Sequence, residues 1–134
     1  MHNQVSVKKV TISKKYLSTL VKDANQANAN EFIQLIENSI HQLKSETEHI
    51  GYLQIVGRLV KMPPKGEVII VGDIHGDLDS LVHILEDSRF LERSLKDKNV
   101  FMIFLGDYGD RGEYSSEVYY IVLKLKEQFP ENIV

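Results

Sequence analysis

Apolar positions in the first third of this chain recur with a helical period, and past a proline pair they gather into short runs that alternate with helical stretches. From Ser13 the spacing of Tyr16, Leu17, Leu20 and Val21 predicts an amphipathic helix, with Ser13 a suitable N-cap. The polar, asparagine-rich run 23–30 predicts a loop that closes on an N-cap at Asn30. Phe32, Ile33, Leu35, Ile36, Ile40 and Leu43 then mark a second amphipathic helix that fades through 45–49. Neither helix carries a convergent polar set, so the pair is expected to form an accessory layer. From Ile50 to Met62 the loose alternation of Leu53, Ile55, Gly57, Leu59 and Lys61 with other residues predicts a strand or an irregular extended segment. Pro63-Pro64-Lys65-Gly66 ends it.

Beyond that break the pattern becomes regular. Apolar runs predict strands over 67–72 and 99–105. Helical periods follow each, from about Leu78 to Asp87 with Leu78, Leu81, Val82 and Leu85 inward, and from about 113 to 128 with Val118, Ile121, Val122 and Leu125 inward. Phe129-Pro130-Glu131-Asn132-Ile133 looks like the opening of a third strand. The fold class expected is α/β, a βαβαβ series preceded by two helices, with residues 1–62 a helical N-terminal region with a possible strand. Parallel pairing would put both strand-to-helix loops at one edge of the sheet.

At 134 residues and 43% hydrophobic content the chain has material for one ordinary core. Sixteen basic against nineteen acidic residues give a net charge of -3 with no long block of either sign, which disfavours nucleic acid and anionic membrane surfaces as partners. The absence of cysteine removes disulfides, thiolate metal sites and thiol nucleophiles, so any metal must be held by oxygen and imidazole. Residues 1–10 lack a secretory-type apolar stretch and no run approaches the roughly 18 residues of a membrane helix, so a cytoplasmic location is expected.

Chemistry concentrates in the two loops. Gly72-Asp73-Ile74-His75-Gly76 and Gly106-Asp107-Tyr108-Gly109-Asp110-Arg111-Gly112 offer Asp73, His75 and Asp107 as hard or borderline metal ligands, Asp110 as an orienting carboxylate, and Arg111 as a fork for an anion. An extended backbone through Asp73-Ile74-His75 would turn both polar side chains to one side, where they can share a cation. Asp107 has two oxygens and can bridge two ions at the spacing of about 3.5 to 4 Å used in binuclear sites. The bland readings take the rest: Asp77 is expected as a helix N-cap, Asp79 as a first-turn charge, His83 as helix packing, and Tyr119 and Tyr120 as packing of the last helix. His2, His41 and His49 stand outside any cluster.

These loops carry a specific resemblance. Residues 72–76 match the GDxHG motif, and residues 106–112 the GDxxDRG motif, of the phosphoprotein phosphatase family of serine/threonine phosphatases, within the calcineurin-like metallophosphoesterases. The segment from Glu67 to Leu85 looks most like archaeal and bacterial members, and the resemblance covers roughly Gly66 to Val134, so that residues 63–134 would be the N-terminal part of a metallophosphoesterase catalytic domain. It implies two divalent metal ions, manganese first with iron or zinc as alternatives. Asp73 and His75 would hold one ion, Asp107 would bridge to the second, Asp110 would orient a catalytic histidine from a third motif, and Arg111 would hold the substrate phosphate. The activity implied is hydrolysis of phosphoserine or phosphothreonine in phosphoprotein substrates, by metal-activated water and without a covalent intermediate. The family's third motif, GNHE, and its two later histidines are not among the 134 residues, so this chain alone is not expected to turn over substrate. Gly109 departs from the family, where a larger apolar residue is usual, which leaves the local packing open. Two rivals remain: a diadenosine tetraphosphatase or nucleotidase, and a noncatalytic metal-binding or assembly module that self-associates through an exposed sheet edge.

Overall fold

In the computed structural model the backbone is described for residues 2–134 and side chains from Ser13 onward; Met1 and the side chains of residues 2–12, and with them the segment read for a leader, lie outside the described residues. The chain opens with helix α1 (His2–Gln26) and helix α2 (Ala29–Ser45). Ser13 is therefore not a cap. It lies inside α1, and its hydroxyl donates to the buried Glu92 carboxylate at 2.9 Å. The loop expected over 23–30 shrinks to the pair 27–28, because Ala24 is buried in the core and the Asn25 amide donates to the Val21 carbonyl at 2.9 Å. Asn28, not Asn30, caps α2. Its side chain accepts from the N–H groups of Asn30 and Glu31, while the Glu31 carboxylate accepts from the N–H of Asn28, a reciprocal capping box.

The segment 48–61 forms three short antiparallel strands, β1 (Glu48–Ile50), β2 (Leu53–Val56) and β3 (Leu59–Lys61), in the order β1-β2-β3. The alternation was legible, and the partition depends on Gly51 and Gly57, whose left-handed backbones (φ 56° and 62°) make the tight turns between them. Then come β4 (Glu67–Val71), α3 (Leu78–Asp87), the short helix α4 (Phe90–Ser94), β5 (Val100–Phe104) and α5 (Ser115–Gln128). Only α4 has no counterpart in the sequence reading; it buries Phe90 and Leu91 beneath α1 and β5.

Strands β4 and β5 pair in parallel, Glu67 opposite Val100 through Val71 opposite Phe104. On the other side of β5, Met102 bridges Ile133 in parallel, with Met102 N–H donating to the Asn132 carbonyl at 2.8 Å and Val134 N–H to the Met102 carbonyl at 2.9 Å. Of the third strand anticipated at Asn132, a single parallel bridge at Ile133 is formed, on the side of β5 where the series requires it. Asn132 is buried, and its amide donates to the Val100 carbonyl at 2.9 Å.

One core cluster joins Val71, Met102 and Phe104 of the sheet, Leu81 and Leu85 of α3, Val118, Ile121 and Leu125 of α5, and Leu17, Leu20 and Ala24 of α1. Helix α1 is therefore part of the core and not an outlying layer. Phe129 ties the three regions together, its ring meeting Tyr16 at 6.4 Å and Phe90 at 5.8 Å, both edge-on. Helix α2 packs on α5, with Phe32 stacked on Tyr120 and a largely buried Glu46–Lys126 ion pair at 2.9 Å. Its Ile33, Ile36, Ile40 and Leu43 stay exposed.

Candidate metal centre

The parallel register brings the ends of β4 and β5 level, and from there the two loops are joined by backbone. Leu105 N–H donates to the Val71 carbonyl at 3.0 Å; Ile74 and His75 N–H both donate to the Asp107 carbonyl at 3.0 and 2.8 Å; Gly76 N–H donates to the Tyr108 carbonyl at 2.7 Å. In return Gly112 N–H donates to the His75 carbonyl at 2.5 Å and Tyr114 N–H to the Gly76 carbonyl at 3.3 Å. That last pairing holds residues 113–114 out of α5, which begins two positions later than its pattern predicts. Two motif glycines make the approach possible. A Cβ on Gly112 would stand 2.6 Å from the His75 carbonyl oxygen, and Gly76 has φ +75° with Ser115 Oγ 2.7 Å from where its Cβ would be.

This joint fixes the side chains. His75, Asp107 and Asp110 adopt left-handed backbones, with φ 50°, 47° and 81°. The extended geometry anticipated through His75 is thus replaced by a turn, because its N–H must reach the Asp107 carbonyl while its own carbonyl accepts from Gly112. Each such conformation costs about 1–3 kcal/mol and tends to cluster at functional sites; His and Asp are among the side chains that tolerate it best. The result is one group: Asp73, His75 and Asp107 each present a ligand atom, all within 4.8 Å of one another. His75 Nε2 lies 3.6 Å from Asp73 Oδ2.

Asp110 sits on the far side of the same imidazole. Its Oδ1 is 2.9 Å from His75 Nδ1, and the Gly109 carbonyl oxygen is 3.2 Å from the same nitrogen. With two oxygen acceptors, Nδ1 carries the proton in the neutral ring, which leaves the Nε2 lone pair on the side of Asp73. A ligating histidine is commonly oriented by such partners on its other nitrogen. The Gly109 carbonyl is the main cause that raises the His75 pKa above the ordinary imidazole value; desolvation opposes it and Asp110 adds to it. The histidine of the third motif for which the resemblance implies Asp110 is not among these residues; within them, Asp110 pairs with His75. Arg111 extends into solvent, 77% exposed, with Nε 4.0 Å from Asp110.

Asp77 accepts from Ser80 N–H and hydroxyl at 2.9 and 2.6 Å as the cap of α3, and these bonds, the hydroxyl's first, lower its pKa. Asp79 lies in the first turn, and His41, His49 and His83 are exposed. Ser115 and Tyr119 are contributors that the sequence reading left out or gave to helix packing. Both reach Gly109 from the first turns of α5, and the available signal was their i, i+4 spacing directly after the second motif. Two carboxylates and one imidazole form a donor set suited to a divalent cation of hard to borderline character.

The family model described as calcineurin-like phosphoesterase matches residues 66–133, just over half the chain and the whole of both loops. The chain belongs to the calcineurin-like phosphoesterase family. Among curated proteins similar to it are the serine/threonine-protein phosphatase 4 catalytic subunit of Eremothecium gossypii, 46% identical over 66 residues (49% of this chain and 19% of that protein). The serine/threonine-protein phosphatase SIT4 of Candida albicans is 28% identical over 109 residues (78% and 33%). A probable serine/threonine-protein phosphatase of Encephalitozoon cuniculi is 39% identical over 75 residues (56% and 15%). This calcineurin-like phosphoesterase chain thus spans no more than about a third of the length of these relatives. Among its described residues no helix is long and apolar enough to cross a membrane.

Proposed function

We propose that this protein is a metal-dependent phosphoesterase that acts on phosphoserine and phosphothreonine in protein substrates, with manganese as its working ion. The observation that carries this reading is the backbone joint between the two loops, which gathers the ligand atoms of Asp73, His75 and Asp107 within 4.8 Å. Support for the substrate class comes from the relatives, whose names are those of serine/threonine-protein phosphatases. In this assignment Asp73 and His75 would hold one divalent ion, and Asp107 would be a ligand for it and for a second. Such ions, when bound, polarise the phosphoryl oxygens and lower the pKa of a water at the site. Asp110 and the Gly109 carbonyl hold the His75 ring in place. Arg111, only loosely engaged by Asp110, offers its planar fork to two phosphate oxygens, a task for which an ammonium is less suited. The catalytic portion is assigned to residues 63–134, the protein to the cytoplasm, and self-association to the sheet edge at 132–134, on the side of β5 away from β4.

The test is hydrolysis of a phosphoserine peptide and of a diadenosine polyphosphate by the purified chain with manganese, beside an Asp107→Asn chain, together with calorimetric titration of manganese into both. Peptide hydrolysis that disappears in the variant supports the reading. Preference for the dinucleotide would replace it with a nucleotidase. Asp107-dependent manganese binding without turnover of either substrate, the outcome expected of these residues alone, would make them the metal-binding part of the phosphoesterase, and absence of Asp107-dependent binding would remove the reading.

A further inference from the structure

We propose that Tyr119 is a positioning residue for His75, acting through the peptide that joins Gly109 to Asp110. The inference rests on the reading above in one respect, that the His75 Nε2 lone pair is meant for a cation. The His75 Nδ1 nitrogen has two acceptors, the Gly109 carbonyl oxygen at 3.2 Å and Asp110 Oδ1 at 2.9 Å. One is the oxygen of the 109–110 peptide, and the other hangs from the residue directly after it. The rotation of a single peptide plane therefore sets the direction of the carbonyl and the position from which Asp110 reaches the imidazole.

Glycine is the residue least able to fix that rotation by itself, since it loses more backbone freedom on ordering than any other. Gly109 is followed here by Asp110 at φ 81°. The side of Gly109 where a side chain would stand is walled by α5: a Cβ there would lie 3.1 Å from Tyr119 Cε2 and 3.3 Å from Ser115 Cβ, which limits how far the backbone at 109 can turn toward that side. Ser115 is fixed in turn, its hydroxyl donating to the Gly112 carbonyl at 3.2 Å. The Tyr119 ring is braced by Tyr108, centroids 5.4 Å apart, and Tyr108 by Phe104 at 6.1 Å. Tyr108 also supplies the carbonyl that accepts from Gly76 N–H at 2.7 Å. The path from ring to metal ligand is continuous: Tyr119, the 109–110 peptide, the Nδ1 proton, and the Nε2 lone pair on the opposite side of the ring.

Packing alone would explain a tyrosine against a glycine, but the exposure of the ring points to positioning. Tyr119 is 42% exposed, so the ring adds little to the core. No hydrogen bond is required of its hydroxyl in this role, so Phe should serve as well as Tyr.

The experiment uses the full chain, labelled with nitrogen-15, at a pH above the titration of its imidazoles. Long-range proton–nitrogen correlation reads the His75 tautomer, assigned by its loss in His75→Asn, and calorimetry reads manganese affinity. The wild type should show the Nδ1–H tautomer alone. Tyr119→Ala should show a tautomer mixture and bind manganese about 10–100-fold more weakly, the usual effect of removing a group that orients a ligand. Tyr119→Phe should match the wild type in both. Should Tyr119→Ala not fold, Tyr119→Leu provides the same comparison. A folded Ala or Leu variant with the wild-type tautomer and affinity overturns the proposal, and so does a Phe variant as impaired as Ala. A wild type that keeps one tautomer but binds no manganese removes the metal reading instead, and the tautomer comparison still decides the role of Tyr119.

Discussion

Gly112 carries more of the site than its lack of a side chain suggests, because its N–H serves the His75 carbonyl and the space above it is taken by the 75–76 backbone. Gly112→Ala should lower stability by about 1–3 kcal/mol, the range for overpacking a close contact, and should weaken manganese binding in the same chain; urea denaturation and calorimetry measure the two. The contacts at His75 Nδ1 give a pH dependence. The folded pKa of His75 is raised, chiefly by the Gly109 carbonyl, with desolvation opposing the rise and Asp110 adding to it. Its stabilisation is therefore complete below the unfolded imidazole value and is lost as pH rises through the higher folded value. A cation competes with the same ring in the opposite sense, so manganese affinity should rise over that window, and proton release measured in two buffers of different ionisation enthalpy checks it. The candidate ligands were legible as residues because each motif names them in a few positions. The left-handed backbones of His75, Asp107 and Asp110, and the pairing of Asp110 with His75, were not, because they come from two loops 34 or more residues apart meeting along a backbone seam.

Among the elements, α1 is the one whose place differs most from its sequence pattern. Leu17→Ala should cost about 2–5 kcal/mol, as for a leucine in a packed core, whereas Ile36→Ala on the exposed face of α2 should stay within about 0.5 kcal/mol. Equal effects in equilibrium unfolding would contradict the packing described. The periodicity gave the register of α1, α3 and α5, since burial and period are the same physical fact on one face; on α2 it did not, because Leu35 is buried while Ile33, Ile36, Ile40 and Leu43 of the same apolar set are exposed. It could not give the α1–α2 junction, because Asn25, Asn28 and Asn30 all suit a helix end. The choice falls to Asn28 through Glu31, which stands three residues on and returns the hydrogen bond. The three strands between α2 and β4 were blurred for a different reason. Strands of three or four residues are too short for alternation to resolve, and their limits are set by the turns at Gly51 and Gly57.

For the molecule as a whole, a cation that binds only the folded state should raise its stability by about 2.7 kcal/mol at a hundredfold excess over the dissociation constant. Thermal melts with and without manganese should display this shift in the wild type and lose it in Asp107→Asn. Apart from the His75 Nδ1 contacts with the Gly109 carbonyl and Asp110, the bonds described between the loops run from peptide N–H to C=O, and the groups that would take a cation are side chains. Structure and charge are thereby largely uncoupled at this point. The frame is fixed by an exchange of main-chain bonds indifferent to salt, chelator or the identity of a dissolved ion, while Asp73 and Asp107 are kept near each other whether or not anything neutralises them. A cation entering such a frame has no loop to order. It finds an electrostatic mismatch already in place, so its binding should be fast, weakly temperature-dependent, and sensitive above all to the charge and radius of what arrives.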